Sequence, residues 1–551
     1  MKGTAIPLFT LVVIAISILS CCLVLFFVTV TIVNRATTGT QRRSIEQRSI
    51  KRQMHFSVLA NLNYQSSKCI IQLSPLLAIC FMTPLIAASA EKYVPLSIFI
   101  AGAGTFLTGR TVSKFSSQTT HGGSLVALVY QSLGPALGIY CGILHIFALI
   151  FLTMGSAAFL SQFTSDIFTS INANSNESKW YVSPLFFVLL LQMSAGIVSI
   201  RGLLMRTQLL VTFSSAGMCL VLGIVVVSNV HAVGLVSINS NRTVLTLSTT
   251  ASPTLSPPPQ FGHFCKSVLY SSLIFNGYES ATAMSDETNN SKITTGQSVA
   301  YTIIASMVFY VLSSGLLSFG YATGHDWELD TSTVVTLSRH FMNRGMSHLY
   351  FIGVLIDGWV GSVALLNVIS SLLHGLSYQG LPCQKLNLLR AISTPYVAVM
   401  CTVFLTLFLT TCAFYAVGFK MKSVVVFAAD CGGVLAQAVY FLVMVGGHVE
   451  FQTFEPIVAA TVALVAVFGA TFGSGTVASG YLTAFSIIVL SGIGVCVVKR
   501  RSPQTFDGDT ACQEDTEENV PLLLLQQEEK EKEEEEEEEE EDRSQSTVCD
   551  M

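Results

Sequence analysis

Residues 263–292 read HFCKSVLYSSLIFNGYESATAMSDETNNSK, and the pattern of this stretch decides the fold. It opens as an apolar span, breaks at Phe275-Asn276-Gly277-Tyr278-Glu279, resumes from Ser280 to Ser285, and leaves in an acidic, Asn-rich segment. In a helix interior Gly is about 1 kcal/mol worse than Ala, and a charge near the bilayer centre costs about 3 kcal/mol or more. A segment carrying both defects persists where its break lines a cavity, because the freed backbone N–H and C=O groups then face that cavity. Secondary transporters place their substrates at such interrupted helices.

Working outward, the whole chain reads as a membrane protein. Its 551 residues are 51% hydrophobic and 11% charged, with a mean hydropathy of +0.60, too apolar for a soluble globule of that length. The net charge of −5 conceals two opposite regions: from Arg501 onward lie 20 of the 34 acidic and 4 of the 29 basic residues, so the remainder carries a clear positive excess. The fourteen cysteines are mostly scattered singly, with no CxxC or CxxH spacing, and read as small buried hydrophobes rather than a disulfide framework or metal site.

Residues 6–33 form an apolar run followed by Arg35, Arg42, Arg43, Arg48, Lys51 and Arg52. A cleaved leader puts its charge before the apolar core, so the expectation is an extra membrane helix with a basic cytosolic flank, the two filling residues 1–68. Twelve further spans of membrane length follow, near 69–89, 93–113, 133–163, 181–200, 205–230, 264–285, 298–322, 349–374, 393–416, 423–446, 455–473 and 477–498. Alternation from a cytosolic start leaves 16 Lys or Arg of residues 1–500 inside and 9 outside, as the positive-inside rule requires. The sequons at Asn176 and Asn241 fall in loops predicted to be outside and are expected glycosylation sites. Residues 499–551 include nine consecutive glutamates, 533–541, a block that cannot bury itself and is expected to be a disordered cytosolic tail. Within it Glu518, Leu522 and Leu523 fit an acidic dileucine sorting signal, which implies a sorting adaptor as partner.

The first span, IIQLSPLLAICFMTPLIAAS from Ile70 to Ser89, carries Pro84 about as deep as the sixth carries Gly277. Two interruptions five spans apart are what an inverted repeat of five helices plus five predicts. The expected domain is therefore 69–498, with repeats 69–230 and 264–446 and accessory helices in 455–498.

These residues also carry a resemblance. Phe275 to Ser291 resembles the sixth helix of the amino acid-polyamine-organocation (APC) superfamily, F-x-G-F/Y-E/D followed by small residues and E-E-T-K-N-P. His121-Gly122-Gly123-Ser124 with Leu133-Gly134-Pro135-Ala136-Leu137-Gly138 is similar to that family's inner loop and third helix. Leu366-Asn367 through Ser377-Tyr378-Gln379-Gly380-Leu381-Pro382, then Thr394-Pro395-Tyr396, is similar to its eighth and ninth. Departures are Tyr378-Gln379 in place of Arg-Asp, Ser371 where many members have Arg, and Met82-Thr83-Pro84 where many have a Gly-rich run. The resemblance covers roughly residues 69–498 and implies an all-α polytopic membrane protein with the five-plus-five inverted-repeat transporter fold and discontinuous first and sixth core helices. It further implies transport of amino acids or related amines by alternating access.

In that reading the backbone and side chains of Phe81, Met82, Thr83, Pro84, Leu85, Phe275, Asn276, Gly277, Tyr278 and Glu279 form the substrate site. Free N–H groups attract a carboxylate and free C=O groups a cation. Glu279 is a candidate for holding a cationic substrate, carrying a coupling proton, or capping the second half-helix. Ser370 and Ser371 offer hydroxyl oxygens for a sodium ion where the first and eighth helices meet; harmless bonding back to their own helix is the alternative. Asp357 and Asp430 are read as lying in the outer third of the membrane and snorkelling to water. No G-x-S-x-G, Walker loop, HExxH or Cys/His set is present, which argues against an enzyme. The expected partners are a small amino acid or amine and the lipid bilayer, with no nucleic acid, no cofactor and no metal beyond sodium. The expected site is the plasma membrane or an endolysosomal or vacuolar membrane. A polyamine or cationic amino acid carrier and a non-transporting amino acid sensor are the alternatives.

Overall fold

The computed structural model describes residues 74–90, 93–118, 125–171, 183–201, 205–239, 260–278, 291–321, 333–342, 344–378, 396–416, 420–473 and 479–501. Glu279, Asn176, Asn241, the N-terminal apolar run and the sorting motif lie outside these residues. Among the described residues there are fourteen helices and no strand. In chain order they are α1 (Pro75–Ala90), α2 (Val94–Gln118), α3 (Leu125–Leu133), α4 (Pro135–Ile171), α5 (Pro184–Arg201), α6 (Met205–Asn239), α7 (Phe261–Ile274), α8 (Ser291–Tyr321), α9 (Thr333–Phe341), α10 (Arg344–Tyr378), α11 (Tyr396–Ala416), α12 (Met421–Phe451), α13 (Glu455–Gly473) and α14 (Ser479–Arg501).

Each of the twelve expected spans coincides with one of these helices; α3 and α9 are short additions. Seven helices are individually long and apolar enough to cross a membrane. Many side chains on the outer faces are exposed and apolar, among them Leu210, Phe213, Ile224, Leu312 and Phe404, the composition that a lipid-facing surface needs. α3 is separated from α4 by Gly134, whose φ of 92° suits a residue without a Cβ.

The packing has the symmetry that a duplicated unit implies. α1 packs on α7, α2 on α8, α4 on α10 and α5 on α11, so four helices of the first half pack on their counterparts in the second. Small residues allow the close approaches that membrane helices depend on. A Cβ on Gly102 of α2 would press on Met307 and Phe275, and one on Gly155 of α4 on Phe81 and Ala428. At one end of the bundle Arg110 and Lys114 of α2 reach Glu455 of α13 at 3.1 and 3.2 Å, joining two helix ends both predicted to be cytosolic.

Two expectations need correction. α1 is helical straight through Pro84; a lone proline in a membrane helix is tolerated because neighbouring groups re-satisfy the backbone. The departure from helical geometry lies at Ser74, φ 37°, immediately before Pro75. Nor do Asp357 and Asp430 snorkel: they are 0% and 1% exposed, and each is held by partners inside the bundle.

Candidate functional site

α7 ends at Ile274, and residues 275–278 form a turn. The end is tightened by bonds of the shorter register, Phe275 N–H to the Ser272 carbonyl at 3.2 Å and Asn276 N–H to that of Leu273 at 3.3 Å. Gly277 then takes φ 128°, a conformation available to glycine and strained for any residue with a Cβ. The turn is pinned to its surroundings. Tyr440 of α12 donates to Asn276 Oδ1 at 2.5 Å, and the Tyr278 ring stacks on that of Tyr440 with centroids 6.2 Å apart. One turn earlier, Gln437 donates to Ser272 Oγ at 2.6 Å. Phe275 meets Tyr310 of α8 edge-on at 6.0 Å.

The other half of the expected site stands on α1. Phe81 packs on Phe159 of α4, with centroids 5.5 Å apart, and the aromatic row continues through Phe163 to Phe351 of α10. Phe81, Met82 and Thr83 are buried, whereas Pro84 and Leu85 are half-buried. All five lie within the helix, so their contribution to a site is through side chains. α1 and α7 pack together, which brings the two sets into one layer of the bundle.

Two buried carboxylates, misjudged from the sequence, organise the helices around this layer. Asp430 of α12 accepts from Tyr270 at 2.6 Å and pairs with Lys266 at 3.6 Å, both on α7. The Lys266 ammonium also lies over the rings of Tyr270 and Tyr481, 5.4 and 5.6 Å from their centroids. Asp357 of α10 does something different. Its Oδ2 accepts the backbone N–H of Leu76 at 2.9 Å and of Leu77 at 3.0 Å, capping α1 from another helix. Buried charge-assisted bonds of this kind are worth about 1.5–3 kcal/mol each, and the carboxylate sits on the positive end of the α1 dipole. Ser74 Oγ donates to the Asp357 carbonyl at 3.4 Å.

Gly361, one turn further along α10, makes room for Ser74; a Cβ there would overlap Ser74 Oγ. Gly361→Ala is therefore expected to destabilise the protein by about 1–3 kcal/mol, the usual cost of overpacking. Adding Ser74→Gly, which removes the obstructing atoms and suits the positive φ, should restore most of the loss in thermal unfolding. A Gly361→Ala protein as stable as the parent would contradict the contact.

The described contacts between α1 and α10 gather at Ser74, Leu76, Leu77, Asp357 and Gly361. Ser370 lies further along α10 and donates to the Asn367 carbonyl of its own helix at 2.8 Å; Ser371 is half-buried. No group of three or more His, Cys, Asp or Glu side chains placed to hold a metal occurs among the described residues.

The model of the amino acid permease family matches residues 69–447. The chain belongs to the amino acid permease family. This permease is accordingly a transporter of the APC superfamily and not an enzyme. Its structure is similar to those of the manganese transporter of Eremococcus coleocola. A histidine-to-alanine and a glutamate-to-alanine mutant of that protein each superpose with a TM-score of 0.50 at 10% identity, covering 82% of this chain and 96% of that one. A glutamate-to-glutamine mutant gives 0.50 at 9% identity over the same shares. At that identity the likeness shows the fold: the inverted-repeat transporter fold with an interrupted sixth core helix. Among curated protein sequences no match was found.

Proposed function

We propose that this permease is a secondary active transporter that moves amino acids or related amines by alternating access, driven by a proton or sodium gradient. The observation that carries the reading is the Phe275–Tyr278 turn at the end of α7. There a glycine at φ 128° interrupts a buried helix between aromatic rings of α8 and α12. A turn in that place leaves backbone polar groups that regular helix would consume, and a membrane protein retains them where they face a ligand or water.

In this reading Phe275, Asn276, Gly277 and Tyr278 hold the cargo from one side and Phe81, Met82 and Thr83 from the other, with Pro84 and Leu85 at the margin. Glu279 follows the turn directly and sets the preference for a cationic or neutral cargo; Ser370 and Ser371 remain candidates for a sodium ion. The transporter domain spans 69–498, preceded by a membrane helix and basic segment in 1–68 and followed by the acidic tail 499–551. Glycans at Asn176 and Asn241 and an adaptor on Glu518, Leu522 and Leu523 complete the proposal, with residence in the plasma membrane or an endolysosomal membrane.

The test is uptake of a labelled panel of amino acids and polyamines into proteoliposomes, with proton and sodium gradients imposed separately. Saturable uptake stimulated by one gradient is expected. Binding of a panel member without flux under either gradient would replace the transporter by a sensor.

A further inference from the structure

Asp357 stands apart from the other polar groups of the bundle. It is 0% exposed, and one of its oxygens does all the bonding: Oδ2 accepts both α1 amides. The Ser215 side chain of α6 lies beside the carboxylate, yet Oδ1 has no hydrogen-bond partner of good geometry among the described residues. An ionised carboxylate has about four lone-pair positions to satisfy, so two amides and at most the Ser215 hydroxyl leave this one short. The two halves favour opposite charge states. The α1 amides and helix dipole stabilise the anion, while burial of an unpaired oxygen stabilises the acid. A carboxyl poised in this way changes its charge when its surroundings change.

What it holds makes the charge matter. α1 opens the first repeat and α10 is the third helix of the second, so the Asp357 bond to α1 crosses between the two halves that alternating access moves apart. Tyr310, which lies near Asp357, is also the ring against which Phe275 packs edge-on.

We propose that Asp357 is the proton-binding residue of the transport cycle. Ionised, it latches α1 to α10; with a proton from bulk water on Oδ1 it releases α1, and the proton leaves to the opposite side when the latch closes again. The proposal rests on the transport reading above and places the coupling on a residue other than Glu279, Ser370 or Ser371. The titratable groups near it are Cys219 of α6 and Tyr310 of α8, with Cys80 of α1 and Tyr350 of α10 itself near Cys219. α4 and α5 bring Leu160 and Ser194 to this level, neither of which titrates, and Arg339 and His340 of α9 are exposed. Thiols and phenols ordinarily titrate above about pH 8 and carboxyls well below it, and Asp357 is the carboxyl among these groups.

Two native thiols report the latch. Cys219 is buried beside it and Cys80 is buried near Cys219, whereas Cys496, close to the basic end of α14, is exposed and serves as the reference. The full-length protein in lipid nanodiscs is treated with a small methanethiosulfonate reagent between mildly acidic and neutral pH, and labelling is read by mass spectrometry. Labelling of Cys219 relative to Cys496 is expected to rise on acidification, by up to about tenfold per pH unit for one linked proton. Thiolate chemistry alone slows both thiols together. Asp357→Asn keeps an oxygen for the α1 amides but cannot change charge, and should abolish the pH dependence of the ratio. Ser215→Ala should move its midpoint while preserving its amplitude. A ratio that ignores pH in the native protein, or that keeps its pH dependence in Asp357→Asn, overturns the proposal. The uptake panel separates the two readings: flux with a pH-independent ratio removes the Asp357 assignment alone, and a pH-dependent ratio without flux retains the latch and removes the transporter.

Discussion

Gly277→Val is expected to abolish transport while leaving a folded protein. At φ 128° the glycine lies beyond even the left-handed region that Asn tolerates, and a β-branched side chain is among the least suited to it. Accommodating valine means rotating the backbone out of that basin, which re-aims the residues on both sides. Asn276 then loses the Tyr440 hydroxyl and Tyr278 its stack on the same ring. Strain of this kind costs about 1–3 kcal/mol per residue, a modest fraction of the stability of a bundle this size. Its effect on function is larger, because displacing a ligand-positioning group by about 1 Å costs on the order of 10²-fold in rate. Uptake at matched protein level should therefore fall by about two orders of magnitude, with thermal unfolding shifted by only a few degrees. Gly277→Ala is expected to fall between the two. Transport by Gly277→Val at the native rate would show that the turn is not where cargo binds.

The same turn shows what a sequence can disclose about such a protein. The interruption at Gly277 was readable because Gly, an amide and a carboxylate together are incompatible with an apolar helix interior. The twelve spans were readable because bilayer thickness sets a length that composition reveals directly. Pro84 does not interrupt the first helix; the signal lay in the pair Ser74-Pro75, where the described helix begins, since Pro is favoured at the first position of a helix, where its missing N–H costs nothing. Asp357 and Asp430 were misjudged for a different reason. Depth counted from the span ends places a residue along the membrane normal and says nothing of which way its helix faces. That the Asp357 carboxylate caps α1 from nearly three hundred residues away in the chain is a fact of packing alone.

Lys266→Met is expected to destabilise the protein by about 3 kcal/mol or more, the range for breaking a buried ion pair from one side. The reason lies in the inequality of the partners: the Asp430 side chain is 2% exposed and that of Lys266 20%. Removing the lysine strands the deeper charge, with the Tyr270 hydroxyl as its remaining strong partner at 2.6 Å and Tyr481 beside it. Asp430→Asn strands the shallower one, which retains the faces of two aromatic rings, and should cost less. The double variant Lys266→Met/Asp430→Leu replaces both charges by apolar groups of similar size and is expected to unfold near the temperature of the parent, as apolar replacement of whole buried pairs does elsewhere. A cycle of unfolding free energies in detergent measures the coupling directly. Strictly additive losses would mean that Lys266 and Asp430 act independently, and that the Tyr270, Tyr440 and Gln437 bonds hold α7 and its turn to α12 without the ion pair. The expected strong coupling would instead make this pair the fixed point about which the turn at Phe275–Tyr278 is aimed, since its members lie on α7, which leads into Asn276, and on α12, which carries Gln437 and Tyr440.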